Sequence, residues 1–216
     1  MEDTDINNFI IRYEQSDSSD DESCQKNRIR KKADKIKSIK CNTLICVLEN
    51  PTNKQNIGSA IRNVNALGVS KLYIVDTKNI FKEETWNDMR TNNTLNETSA
   101  SAIKWTYTKI FKSSEDCFNH LEKNNFVSFG TSPHIKGKNN ISLDVGNFTQ
   151  KKLAVWFGNE VHGMSEYAVD RCNSLIQIPM AGIIESFNLS VSVGIVLYEI
   201  TSQRRAYHYR ENVQYE

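Results

Sequence analysis

Residues 178–198 read IPMAGIIESFNLSVSVGIVLY, and this stretch decides the fold. A short apolar strand end closes at Pro179 and gives way to a polar turn, which runs straight into an almost wholly apolar helix. Within the helix, Leu189, Val193, Val196, Leu197 and Ile200 fall at offsets of 0, 4, 7, 8 and 11, the spacing of one continuous stripe. Ser186 and Asn188 stand at its mouth, where side-chain oxygens can accept from the free backbone N–H groups of a first turn. Strand, polar turn, helix: the same succession occurs earlier in the chain.

TLICVL (43–48) reads as a buried strand, and Pro51 bars helix in the polar loop ENPTNKQN (49–56) that follows. Ile57, Ala60, Ile61, Val64 and Leu67 mark an amphipathic helix that Gly68 terminates, and KLYIVD (71–76) is the next strand. A crossover of this kind implies parallel strands. Residues 79–104 are rich in Asn, Thr and Ser with weak periodicity, which predicts a short helix and loops. Ser113 or Ser114 caps a helix over 115–123, and Ser165 caps another that runs to about Cys172. FVSFG (126–130), LAVWFG (153–158) and SLIQIP (174–179) are the remaining strands. The predicted fold is α/β, an open and mostly parallel sheet with helices on both faces. Ligands in such sheets bind outside the carboxyl ends of the strands. Four of those ends carry polar turns: Glu49 to Asn56, Gly130 to Pro133, Gly158 to Gly163 and Pro179 to Asn188.

The 216 residues suit one domain, 41–216, behind an N-terminal arm, 1–40. Net charge is +1, so the total exerts no pull toward nucleic acid, but its distribution is uneven. Residues 1–23 hold eight acidic side chains against one basic, and their few apolar residues predict disorder. Residues 26–40 hold eight Lys or Arg against a single Asp34. This basic stretch is either an arm that touches phosphate or a solvated helix that shields the acidic tail. The five cysteines form no CxxC pair and have no His at ligand spacing, so they read as reduced structural thiols with no metal site. No run approaches membrane-spanning length and the first residues are acidic, which gives a cytoplasmic address or an organelle reached by an unrecognised signal. The GxGxxG fingerprint of nucleotide-binding sheets follows none of the strands.

Three blocks carry a resemblance. ENPTNKQNIGSAIRNVNALGV is similar to an Asn-x-Gly-x-x-x-Arg helix start, FGNEVHGMSEYAVDRCNSLIQIPM to a Gly-x-Glu-x-x-Gly turn with an Ile-Pro-Met strand end, and ESFNLSVSVGIVLYE to a Ser-x-Asn-x-Ser helix entry. In this order they resemble the SpoU branch of the SPOUT RNA 2′-O-ribose methyltransferases over roughly residues 42–205, and within it the tRNA guanosine-18 type. The resemblance implies S-adenosylmethionine as methyl donor, a C-terminal trefoil knot, an RNA substrate, and a homodimer with its site near the subunit interface. Compared with the resembling tRNA enzymes the chain has no long segment after Glu216 and a different N-terminal arm, which weakens guanosine 18 more than the reaction.

Residue by residue, the resemblance makes Arg62 the central catalytic group. It acts either as a base or, since a guanidinium is almost never deprotonated, as a bidentate grip on phosphate that stabilises charge on the 2′ oxygen. Asn56 caps the helix start and orients Arg62 or the ribose. Glu160 orients Arg62 or the RNA. Asn188, assisted by Ser186, holds the ribose or the cofactor. Cofactor contacts carry over to Thr131, Gly158, Asn159, Gly163, Ile178, Met180 and Phe187. Arg30, Lys31 and Lys32 of the arm, with Arg204 and Arg205 in the trailing helix, are candidate RNA contacts. His134 and His162 read as polar loop histidines. The alternatives are the same reaction on rRNA, or a catalytically silent RNA-binding protein with this fold.

Overall fold

A computed structural model describes residues 28, 31, 40–79, 81, 85–134 and 139–211, with side chains through 207. The chain divides into two units, Met1–Lys37 and Ser38–Glu216. Of the first, only Arg28 and Lys31 are described, both helical and exposed. The expected disorder over 1–23 and the arm residues Arg30 and Lys32 lie outside the described residues.

The second unit is built on a seven-stranded sheet. In chain order its elements are β1 (Cys41–Glu49), α1 (Lys54–Ala66), β2 (Val69–Val75), α2 (Trp86–Thr91), α3 (Asn93–Thr98), a 3-10 turn (Ala102–Lys104), β3 (Tyr107–Phe111), α4 (Ser114–Lys123), β4 (Val127–Thr131), β5 (Asn140–Ser142), β6 (Leu153–Phe157), α5 (Glu166–Arg171), β7 (Ser174–Gln177) and α6 (Leu189–Glu211). The strand order is β3-β2-β1-β6-β4-β7-β5, and every pairing is parallel. β3 and β5 are additions at the two edges. Both are short and lack a clean alternation, with exposed Tyr107 opening β3 and all three residues of β5 half-buried, so no periodic signal marks them.

Helices cover both faces. On one, α1 and α6 pack over the sheet through Ile57, Ile61, Val64, Val193, Val196 and Leu197, all fully buried. Four of the five residues of the sequence stripe in α6 are fully excluded from solvent and Leu189 is nearly so. Each such aliphatic contributes up to about 1.5–3 kcal/mol of transfer free energy. On the other face, α4 and α5 pack through Cys117, Phe118, Leu121, Ala168 and Val169, and Phe118 stacks on Trp156 at 4.0 Å. Burial pushes the thiols of Cys46 and Cys117 well above the ordinary range, so both are neutral packing groups. Among the described residues no cluster of three or more potential metal ligands occurs, and no helix is long and apolar enough to cross a membrane.

One helix start differs from expectation. Asn53, not Asn56, caps α1, its side chain accepting from the N–H groups of Gln55 and Asn56. Asn56 therefore lies inside the first turn with its amide free to point elsewhere. At α4, Ser113 is the cap of the two serines expected there. Ser114 instead donates to the buried carboxylate of Glu49.

Candidate active site at four adjacent strand ends

The four polar turns follow β1, β4, β6 and β7, and these strands are consecutive neighbours in the sheet: β1-β6-β4-β7. With all strands parallel, the turns emerge along one edge and meet. Between the turns after β4, β6 and β7 lies a cleft of about 290 Å³, with the turn after β1 bonded to its rim. Its walls include all seven residues assigned to the cofactor, Thr131, Gly158, Asn159, Gly163, Ile178, Met180 and Phe187, together with Glu160 and Ser186.

The turn after β6 is held tightly. Asn159 and Gly163 exchange two backbone hydrogen bonds of 2.9 Å, closing a miniature hairpin. Asn159 Oδ1 accepts from the N–H groups of Val161 and His162 inside it, and Asn159 Nδ2 donates to the carbonyl of Asn50 at 2.7 Å, fastening this turn to the one after β1. A Cβ on Gly158 would lie 2.1 Å from the backbone of Gly163, and Gly163 has φ +68°. Both positions need glycine, one for space and one for conformation. Below the turn, Glu49 at the end of β1 is buried and accepts from Ser165 N (2.8 Å), Ser165 Oγ (2.7 Å) and Ser114 Oγ (2.5 Å). Thus one carboxylate pins the starts of α4 and α5 to the central strand.

Above that anchor runs a chain of polar side chains drawn from three turns. Glu160 Oε2 accepts from both N and Oγ1 of Thr52, each at 3.0 Å, and Oε1 accepts from Asn56 Nδ2 at 2.9 Å. Asn56 Oδ1 in turn accepts from Asn188 Nδ2 at 3.0 Å. Asn188 caps α6, its Oδ1 accepting from Ser190 N (2.9 Å) and Ser190 Oγ (2.8 Å). Desolvation pushes the Glu160 carboxyl up, but the bonds from Asn56 and Thr52 outweigh it and hold the group below the usual carboxylate range. It is an anion at neutral pH.

The structure thus joins Asn56, Glu160 and Asn188 in one network, but Arg62 is not part of it. Arg62 lies six residues beyond Asn56 on α1, about 9 Å along the axis and turned roughly 120° away. It is exposed and has no hydrogen bond or ion pair with any described residue. The expectation that Glu160 or Asn56 orients Arg62 is corrected for the single chain, since both are committed to other partners. Arg204 is a second correction. It is buried to 3% exposure and its guanidinium donates to the carbonyls of Gln150 and Lys151 and to Thr43 Oγ1, so it braces the loop before β6 instead of facing RNA. Arg205 is half-buried, and Ser186 and Phe187 sit exposed on the cleft lip. Sequence reasoning missed Thr52, Asn53 and Glu49 as site-building residues. Their signal was position: polar side chains directly after an apolar strand, across from a second such turn.

A model of the SpoU rRNA Methylase family matches residues 43–198. The chain belongs to the SpoU methylase family. Two relatives are the tRNA (guanosine(18)-2′-O)-methyltransferases of Borreliella burgdorferi, 27% identical over 80% of this chain and 72% of that one, and of Thermus thermophilus, 29% identical over 74% and 75%. The crystal structure of the A. aeolicus TrmH/SpoU tRNA modifying enzyme has the same fold, with a TM-score of 0.70, 23% identity and coverage of 86% and 87%. The matched span runs from Thr43 in β1 through most of the first half of α6 and includes all four polar turns.

Proposed function

We propose that this SpoU family member is an RNA 2′-O-ribose methyltransferase that uses S-adenosylmethionine and acts on tRNA in the cytoplasm, with guanosine 18 as the leading position. The observation that carries the reading is the charge of the cleft. Among its described lining residues are two carboxylates, Glu160 and Glu185, and neither Lys nor Arg. Such a pocket suits a cationic ligand and repels phosphates, which separates it from nucleotide-binding sheets. Its apolar portion, Ile176, Ile178, Phe187 and Leu189, offers a flat ring a place to pack, beside Thr131, Ser132 and Ser192 for hydrogen bonding. These residues fit S-adenosylmethionine, which when bound supplies a methyl group on a cationic sulfur.

The protein's own groups then have distinct tasks. Glu160, Asn56 and Asn188 form a preformed polar wall at the cleft rim, and their mutual bonds fix their positions before substrate arrives. Arg62, exposed and unpaired among the described residues, is the cation available to an RNA phosphate and to negative charge on the attacking 2′ oxygen. The basic arm residues Arg30, Lys31 and Lys32, with Arg205, serve as further RNA contacts. A homodimer is part of the proposal, along with the knot implied by the family. Val191 and Tyr198 on α6 and Ile183 and Ile184 on the preceding loop are exposed apolar side chains suited to a second copy. That arrangement would let Arg62 reach a site other than its own.

The description of the family favours rRNA as a second reading of the substrate. Incubation of bulk tRNA and bulk rRNA, separately, with methyl-labelled S-adenosylmethionine decides between them. Label in 2′-O-methylated nucleosides from the tRNA sample is expected. Label in rRNA alone would move the substrate, and label in neither would leave an RNA-binding protein.

A further inference from the structure

We infer that Thr52 is a positioning residue of the transfer reaction, which holds Glu160, one of the two ends that fix the direction in which the amides of Asn56 and Asn188 point. A backbone N–H, which can only donate, sets that direction at one end, and a carboxylate, which can only accept, sets it at the other. Ser190 N donates to Asn188 Oδ1 at 2.9 Å, so the other end of that amide, Nδ2, must be the donor to Asn56. Asn56 therefore accepts through Oδ1 and turns its own Nδ2 toward Glu160. At the far end the Glu160 carboxylate, held by Thr52 N at 3.0 Å, can only accept, so it too calls for Asn56 Nδ2 as the donor. The chain Asn188 to Asn56 to Glu160 thus has one direction, set independently from both ends.

The consequence concerns what the rim can bind. Each amide nitrogen carries two hydrogens, and the network uses one from Asn56 and one from Asn188. The second hydrogen of each faces no described partner, whereas Asn188 Oδ1 already accepts two bonds and Asn56 Oδ1 one. The rim therefore offers two N–H donors to incoming oxygen lone pairs and one remaining acceptor position, on Asn56 Oδ1. This directionality depends on Glu160 staying ionised and staying put. Protonation would give Oε1 a hydrogen that competes with Asn56 Nδ2. Thr52 opposes that through two donors to a single oxygen, and its hydroxyl is the one that mutation can remove. Thr52 is itself exposed, so replacing it disturbs no buried packing.

The inference rests on the methyl-transfer reading for its kinetic readout only. Thr52→Val keeps the shape and the backbone donor but deletes the hydroxyl, and Thr52→Ser restores the hydroxyl without the methyl. In the full-length protein carrying ¹³C-labelled glutamate, the Glu160 carboxyl, assigned by its loss in Glu160→Gln, is titrated by NMR. Expected is a higher Glu160 pKa in Thr52→Val than in wild type, with Thr52→Ser close to wild type. In the labelled-cofactor assay kcat falls about tenfold in Thr52→Val, as for losing a hydrogen bond to a charged group, with the acid limb of its pH profile moved upward. The KM for RNA stays within about twofold. Unchanged titration and kcat in Thr52→Val would overturn the inference, as would equal losses in Thr52→Val and Thr52→Ser. If wild type transfers no methyl group, the reaction reading fails while the titration still decides the hold of Thr52 on Glu160.

Discussion

The two lips of the cleft are built in opposite ways. The lip after β6, Gly158 to Gly163, is cross-braced by its own hairpin bonds, by Asn159 to the β1 turn, and by Glu160 to Thr52 and Asn56. The lip after β7, residues 181 to 187, is exposed throughout, with Ile183 at 98%, and the contact across the cleft from Glu185 to His134 is 4.0 Å long. One wall is finished before any ligand arrives, and the other presents apolar side chains to solvent. The fixed wall carries the polar groups whose geometry a methyl transfer needs. The open wall is where a cofactor or a second copy would complete the site, so the two should respond differently to mutation.

The largest contrast is expected at Gly158. Gly158→Ala forces a Cβ into the Gly163 backbone and should lower stability by about 1–3 kcal/mol, with loss of cofactor binding. Thermal melting and calorimetric titration measure both, and a wild-type melt would mean the fixed lip is less constrained than its contacts imply. Next comes Arg62→Ala, expected to reduce methyl transfer by about a thousandfold while cofactor affinity stays within a few-fold, because Arg62 lies outside the cleft wall. Equal turnover would remove Arg62 from the mechanism. Acid titration sharpens the comparison further. Glu160 has a folded pKa below its unfolded value, so its stabilising contribution is present above the ordinary carboxylate pKa and is lost as pH falls through the folded one. Glu160→Gln should flatten that part of the stability–pH curve, and an unchanged curve would contradict the assigned bonds. The smallest folding effect belongs to the open lip. Ile183→Ser should change monomer stability by less than about 0.5 kcal/mol yet weaken self-association in sedimentation analysis, and no change in association would place the dimer contact elsewhere.

How legible this was from sequence follows the same division. The buried strands β1, β2, β6 and β7 and the stripe of α6 were readable because few structures other than a buried strand or a packed helix place apolar residues in continuous runs or at a helical period. The edge strands β3 and β5 were not, since a half-exposed edge needs no pattern. The polar turns were recognisable as turns, and their motifs named Asn56, Glu160 and Asn188. What sequence could not give was pairing. Nothing in Thr52 distinguishes it from a solvated loop threonine until residue 160 is brought to it across 108 positions. Arg204 shows the opposite error. A basic residue in an Arg-Arg pair near the end of a helix reads as surface charge, but three oxygen acceptors from distant segments draw it inward.

Whether the rim residues act as one unit is measured directly by a double-mutant cycle on methyl transfer. Glu160→Gln, Asn188→Ala and the combined variant are compared by kcat with tRNA and labelled cofactor. A connected network predicts that the combined variant loses little beyond the worse single change. Losses that simply multiply would mean that Glu160 and Asn188 act independently, and the linked wall described here would not be the working part of the site.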